Sequence, residues 1–92
     1  MITINVNMVS EDPWEFDVSL HDRDELLGEY VVHMTAEDYE HYGMEAEPSE
    51  LIKGTFKFLL DREDLHMILG EFSLPEVEKY FPEYPDMVPD YL

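Results

Sequence analysis

Two stretches decide the fold: Ile2-Thr3-Ile4-Asn5-Val6-Asn7-Met8 and, after a short gap, Trp14-Glu15-Phe16-Asp17-Val18-Ser19-Leu20. In both, an apolar residue stands at every second position and a polar one fills each space between. A period of two matches the pleat of a strand, whose side chains point alternately to opposite faces. One face is then greasy and the other wet, the pattern of half-buried antiparallel strands. Ser10-Glu11-Asp12-Pro13 separates them with turn chemistry, since Ser and Asp bond locally and proline fixes φ. The two stretches are predicted to form a hairpin.

Working outward, His21 to Gly28 reads two ways, as one helical turn stopped by glycine or as a wide acidic loop. A third strand is predicted over Glu29–Met34, with Tyr30, Val32 and Met34 opposite in facing to Val31 and His33. Thr35-Ala36-Glu37-Asp38 opens a helix, because threonine accepts from an early backbone N–H and acids suit the positive end of the helix dipole. That helix runs to Gly43, and Met44 to Pro48 is an acidic linker. Leu51, Ile52, Phe56, Leu59 and Leu60 fall at helical spacing behind Ser49 as N-cap. Glu50, Lys53, Lys57 and Asp61 line its outer face. A shorter helix from Asp61 or Arg62, carrying Leu65, Ile68 and Leu69, is expected to close at Gly70. Ser73-Leu74-Pro75-Glu76 is a capping-box start for a last helix through Val77, Tyr80 and Phe81.

The expected fold is α+β: an N-terminal antiparallel sheet of about three strands, a hairpin plus one, covered by three to four short C-terminal helices. Residues 1–92 make one domain, with 82–92 as a Pro-rich acidic tail that either packs or dangles. Ile4, Phe16, Phe56 and Leu59 are expected to share the interior.

Charge limits the partners. Twenty-three acids against five bases give a formal net charge of -18. Residues 1–47 hold 13 of the acids and a single base, Arg23. Such a field repels phosphate backbones and anionic bilayers, so direct nucleic-acid and membrane binding are not expected. A basic protein surface or plain solubility is. The chain has no cysteine, which excludes disulfides and zinc–thiolate sites and fits a reducing, cytoplasmic setting.

Histidine with carboxylates is the only constellation with chemical content. Asp38-x-x-His41 and Glu63-x-x-His66 each place two metal-ligand types one helical turn apart. Among so many acids such spacings arise by chance, and the reading taken is exposed polar side chains without metal or cofactor. No calcium-loop spacing, serine nucleophile elbow or phosphate-cradling glycine loop is present in the sequence.

From Pro48 onward the run Pro48-Ser49-Glu50-Leu51-Ile52, Phe56-Lys57-Phe58-Leu59-Leu60-Asp61-Arg62-Glu63, Ile68-Leu69-Gly70-Glu71-Phe72-Ser73-Leu74 and Tyr80-Phe81-Pro82-Glu83-Tyr84 resembles the C-terminal half of a family of short, uncharacterised prokaryotic proteins. The likeness covers residues 48–84. It implies a prokaryotic, cytoplasmic origin and carries no functional residue across.

Three functional expectations follow. The first is a non-enzymatic domain that binds a protein with a basic surface or pairs with its own copy as a homodimer. The second is an enzymatic or small-ligand domain using His33 or His41 with neighbouring acids in the sheet–helix crevice. The third is an acidic mimic of nucleic acid.

Overall fold

In the computed structural model, which describes residues 1–43 and 45–92, alternation in the first third becomes a sheet. Strands β1 (Ile2–Ser10), β2 (Trp14–Asp22) and β3 (Glu25–Met34) run antiparallel in sequence order. A short β4 (Glu71–Ser73) joins β3 in parallel, giving four strands in the order β1-β2-β3-β4. Cross-strand partners keep like with like: Ile4 opposite Leu20, Val6 opposite Val18, and Phe16 opposite Val32. The apolar halves thus fuse into one face, while Asn5, Asn7, Asp17 and Glu29 stay exposed on the other.

The sheet is mixed and four-stranded, rather than an antiparallel one of about three. Residues 21–28 are neither a helical turn nor a wide loop. They end β2 and begin β3 around a two-residue connection, Arg23-Asp24, with Asp22 opposite Glu25. Arg23 takes φ of 58°, the left-handed conformation that tight hairpin turns require at a central position and usually give to glycine or asparagine. A register shift beyond Leu20 leaves Leu27 without a Cα partner, between the Gly28 and Leu26 pairs, and breaks the alternation there.

The helix expected over 61–70 is also absent. Asp64 caps only a 3-10 turn, Leu65–Met67, by accepting from the His66 N–H at 2.9 Å. The chain then extends, and the Val31 N–H donates to the Gly70 carbonyl at 2.8 Å as β4 docks. The Tyr30 hydroxyl reaches over from the sheet to donate to the Leu65 carbonyl at 2.9 Å. Here tertiary hydrogen bonds win over helical spacing.

Four helices follow as α1 (Ala36–Tyr42), α2 (Pro48–Leu60), α3 (Leu74–Tyr80) and α4 (Tyr84–Met87). The Thr35 capping box forms in both directions, at 3.0 and 3.1 Å with Asp38. At α3 the Glu76 carboxylate accepts from the Ser73 N–H at 2.7 Å. The start of α2 differs from expectation. Glu47 is the N-cap and Pro48 occupies the first turn, where its missing N–H is no loss, so Ser49 lies inside the helix. Of the linker expected over Met44–Pro48, Met44 lies outside the described residues.

Helix α2 is buried on two sides. Phe56 packs on Tyr30 and Phe72 of the sheet, with ring centroids 5.3 and 6.0 Å away. Phe58 turns instead to Tyr84, Phe81 and Tyr91, at 5.2 to 5.9 Å. Residues 82–92 therefore pack: α4 leads into a 3-10 turn, Val88–Tyr91, and Tyr84 and Val88 are wholly buried. Arg62 ties this segment down, with its guanidinium 3.8 Å from the Phe58 ring centre and hydrogen bonds of 3.3 Å to Glu83 and Tyr91. Gly54 permits the approach, since a Cβ there would stand 2.6 Å from Leu92 and 3.2 Å from the Tyr91 carbonyl oxygen. Ile4, Phe16, Phe56 and Leu59 do share one interior.

Among the described residues, Thr55 is the one buried polar side chain other than the tyrosines, and it links the layers. The Thr55 hydroxyl donates to the Leu51 carbonyl at 2.8 Å, which uses its single proton. The Tyr84 hydroxyl, 2.7 Å away, must then donate to Thr55. Thr55→Val strands a buried donor and is expected to cost about 1–3 kcal/mol, whereas adding Tyr84→Phe to it recovers part of that loss. Urea unfolding of both single variants and the double variant checks the order; a double variant weaker than Thr55→Val alone contradicts the donor assignment.

Candidate functional site

The most distinctive apolar concavity is built where the chain leaves α2 and returns to the sheet edge. Leu59, in the last turn of α2, and Phe72 of β4 form its floor with Ile68 and Val77, each buried. Ile68 is extended (φ -73°, ψ 132°), so its side chain turns inward while those of Met67 and Leu69 flank it outward. Tyr80 stands one turn beyond Val77 on the same face of α3, and its ring forms the opposite lip. Met67 is 70% exposed, Tyr80 67% and Leu69 45%. The groove encloses about 230 Å³. Small-molecule sites run to roughly 300–1,000 Å³, so this one suits one or two large side chains better than a cofactor.

Two acids border it. Glu76 is committed to capping α3 through its 2.7 Å bond to Ser73. Glu63 makes no side-chain hydrogen bond or ion pair among the described residues, and partial burial pushes its carboxyl above the usual carboxylate range. Burial disfavours the charged form of any carboxylate that has no cation to offset it. The site is thus a greasy slot with one uncompensated anion at its edge.

The histidines stand elsewhere. His33 lies opposite Glu15 and Ser73 in the sheet register, on the face turned away from the helices. There its Nε2 is 2.6 Å from Glu71 and its Nδ1 3.8 Å from Glu15. His41 stacks edge-on against Tyr42, with centroids 4.6 Å apart, and comes within 3.9 Å of Glu78. Neither lines the groove. Of the two metal-ligand spacings, Asp38 is engaged in the Thr35 capping box rather than with His41. Glu63 and His66 do not share a helix, since Glu63 precedes the 3-10 turn that holds His66. Among the described residues no group of three or more His, Asp or Glu is arranged to hold a metal ion, and no helix is long and apolar enough to cross a membrane.

The sequence assigns Leu69 to the helix expected over 61–70 and Tyr80 to the last helix, and singles out Met67 in neither. The one available signal for the groove was that Met67, Leu69 and Tyr80 add apolar positions beyond what a short helix face needs. No family model matches the chain, and no curated protein or solved structure matches it either.

Because the Glu63 carboxyl titrates higher when folded than when unfolded, the folded state binds more protons in that window. Stability from this group is then present at acid pH and falls as pH rises past the ordinary glutamate value. Glu63→Gln, which mimics the protonated form, is expected to be at least as stable as the parent at neutral pH, with the difference closing below about pH 4. Chemical denaturation at the two pH values checks this; a Glu63→Gln variant less stable at neutral pH contradicts the assignment.

Proposed function

We propose that this chain is a non-enzymatic protein-binding domain whose groove between α3 and the β4 edge takes an apolar segment flanked by Lys or Arg. The observation that carries the reading is the pairing of an apolar slot, rimmed by Met67, Leu69 and Tyr80, with the Glu63 carboxylate beside it, which has no side-chain hydrogen bond or ion pair among the described residues. Exposed aromatic and methionine side chains around a concave patch are the usual anchors of recognition surfaces. Glu63 and the chain's net charge of -18 select a basic partner and reject acidic ones. The absence of cysteine and the likeness of residues 48–84 to short prokaryotic proteins favour a prokaryotic cytoplasm as the setting.

An enzymatic reading draws no support from the histidines, which stand outside the groove, and a nucleic-acid mimic would need the charge but not the slot. Fluorescence anisotropy with paired peptides separates these. One peptide carries Leu and Phe anchors flanked by Lys, and its twin carries the same anchors flanked by Glu. The Lys-flanked peptide is expected to bind, weakening as salt rises. Tyr80→Ala is expected to reduce affinity about tenfold, on the scale of losing one aromatic anchor. Equal binding of both peptides, or no effect of Tyr80→Ala, contradicts the reading; a charge-only mimic gives the second result.

A further inference from the structure

The two edges of the sheet are unlike each other. The β4 edge is three residues long, carries the exposed Glu71 and passes at once into α3. Short length and charge are the ordinary protections against pairing with another chain. The β1 edge has neither. Its nine residues, Ile2-Thr3-Ile4-Asn5-Val6-Asn7-Met8-Val9-Ser10, contain no ionisable side chain, proline or glycine, in a chain where 23 of 92 residues are acidic. Only Ile4 is buried, and its one register shift lies at the far end, beyond Met8.

Charge around this edge points the same way. A shallow groove runs along the first half of β1, against α2, and is walled by the exposed Lys53 and Lys57, two of the chain's five bases. Asp61, also on that wall, accepts from the Tyr91 hydroxyl at 2.7 Å. The strand itself adds no negative charge. The acids beside it in register are Glu15, Asp17 and Asp22 of β2, of which Asp22 pairs with the N-terminal ammonium at 3.3 Å. The lysines therefore make this a favourable approach for a second copy of net charge -18.

We infer that β1 pairs antiparallel with β1 of a second copy across a two-fold axis, continuing the sheet through the dimer. The inference does not rest on the groove reading. Matching the faces fixes the register to within a step of two residues. The register that covers the most exposed apolar surface puts Asn5 on the axis, Ile4 opposite Val6 and Ile2 opposite Met8. Ile2 and Met8 are the residues of the sheet's apolar face left open in the single chain, at 37% and 36% exposure. In this arrangement each covers the other, twice.

Sedimentation velocity tests it. The wild-type chain is expected to form a dimer of twice the 10.9 kDa chain mass, tightening as salt screens the mutual repulsion of two acidic copies. Asn5 is exposed and its side chain hydrogen-bonds only His21 among the described residues, at 3.2 Å, so changes there are expected to leave the fold intact, which circular dichroism melting checks. Asn5→Glu sets two carboxylates against each other on the axis and is expected to weaken the dimer by about tenfold or more; Asn5→Lys does the same with two cations. Mixing the two variants is expected to restore a heterodimer. A wild-type chain that stays monomeric at high salt overturns the inference. So does a dimer indifferent to Asn5→Glu, or a mixture that fails to reassociate. Peptide capture by the Tyr80 groove in the monomeric Asn5→Glu variant reports on the other surface separately.

Discussion

Burial of α2 on two sides is the constraint on which the rest of the molecule depends. A helix over a single sheet normally shows water one face, yet Phe56 of α2 meets the sheet while Phe58, two residues on, meets the C-terminal turns. Two residues turn a helix by more than half a circle, so these side chains cannot share a partner. The chain resolves this by adding a third layer from residues 82–92. Each large apolar side chain so buried stabilises by about 1.5–3 kcal/mol, a large share of the roughly 5–15 kcal/mol available to a domain. Thr55 and Tyr84 then satisfy the polar groups that this close approach would otherwise strand.

The third layer also shapes the surfaces. With Arg62 and Phe58 holding the tail against one side of α2, the chain beyond Glu63 crosses to the sheet edge through a 3-10 turn and a short extended stretch from Ile68. That crossing leaves Met67 and Leu69 without cover and opens the slot against α3. At the opposite edge, α2 lies beside the start of β1 but presents lysines there, so the outermost strand is approached and not roofed. The two surfaces differ in what they admit. One is an apolar slot beside a lone carboxylate, and the other an uncharged strip of backbone.

The strands were legible because alternation is a strong local signal wherever one face is buried: Ile4, Val6, Phe16 and Val18 needed no tertiary context. Residues 21–28 were not legible, for two reasons. Arg23 takes a left-handed turn position without a glycine to announce it, and the irregular register beyond Leu20 leaves Leu27 without a cross-strand partner, so the alternation breaks there. The segment from Asp61 to Gly70 misled in the opposite sense. Leu65, Ile68 and Leu69 have helical spacing, but hydrogen bonds from Tyr30 and Val31 hold the segment as a turn and a strand approach. Such partners lie more than thirty residues away in sequence, beyond the reach of any local pattern. The same holds for the groove. Leu69 belongs to the helix that does not form, and Tyr80, although α3 forms as expected, is left on the rim across from it.

Hydrogen exchange of the intact chain tests the central claim most directly, because the sheet, α2 and residues 84–91 are held to be one cooperative unit. Buried amides of β2, of α2 around Thr55, and those hydrogen-bonded in α4 are expected to exchange only through a shared opening, with a common free energy that falls together as denaturant is added. Rapid exchange across 84–91 while α2 and the sheet keep full protection would contradict it, leaving α2 as an ordinary one-sided helix.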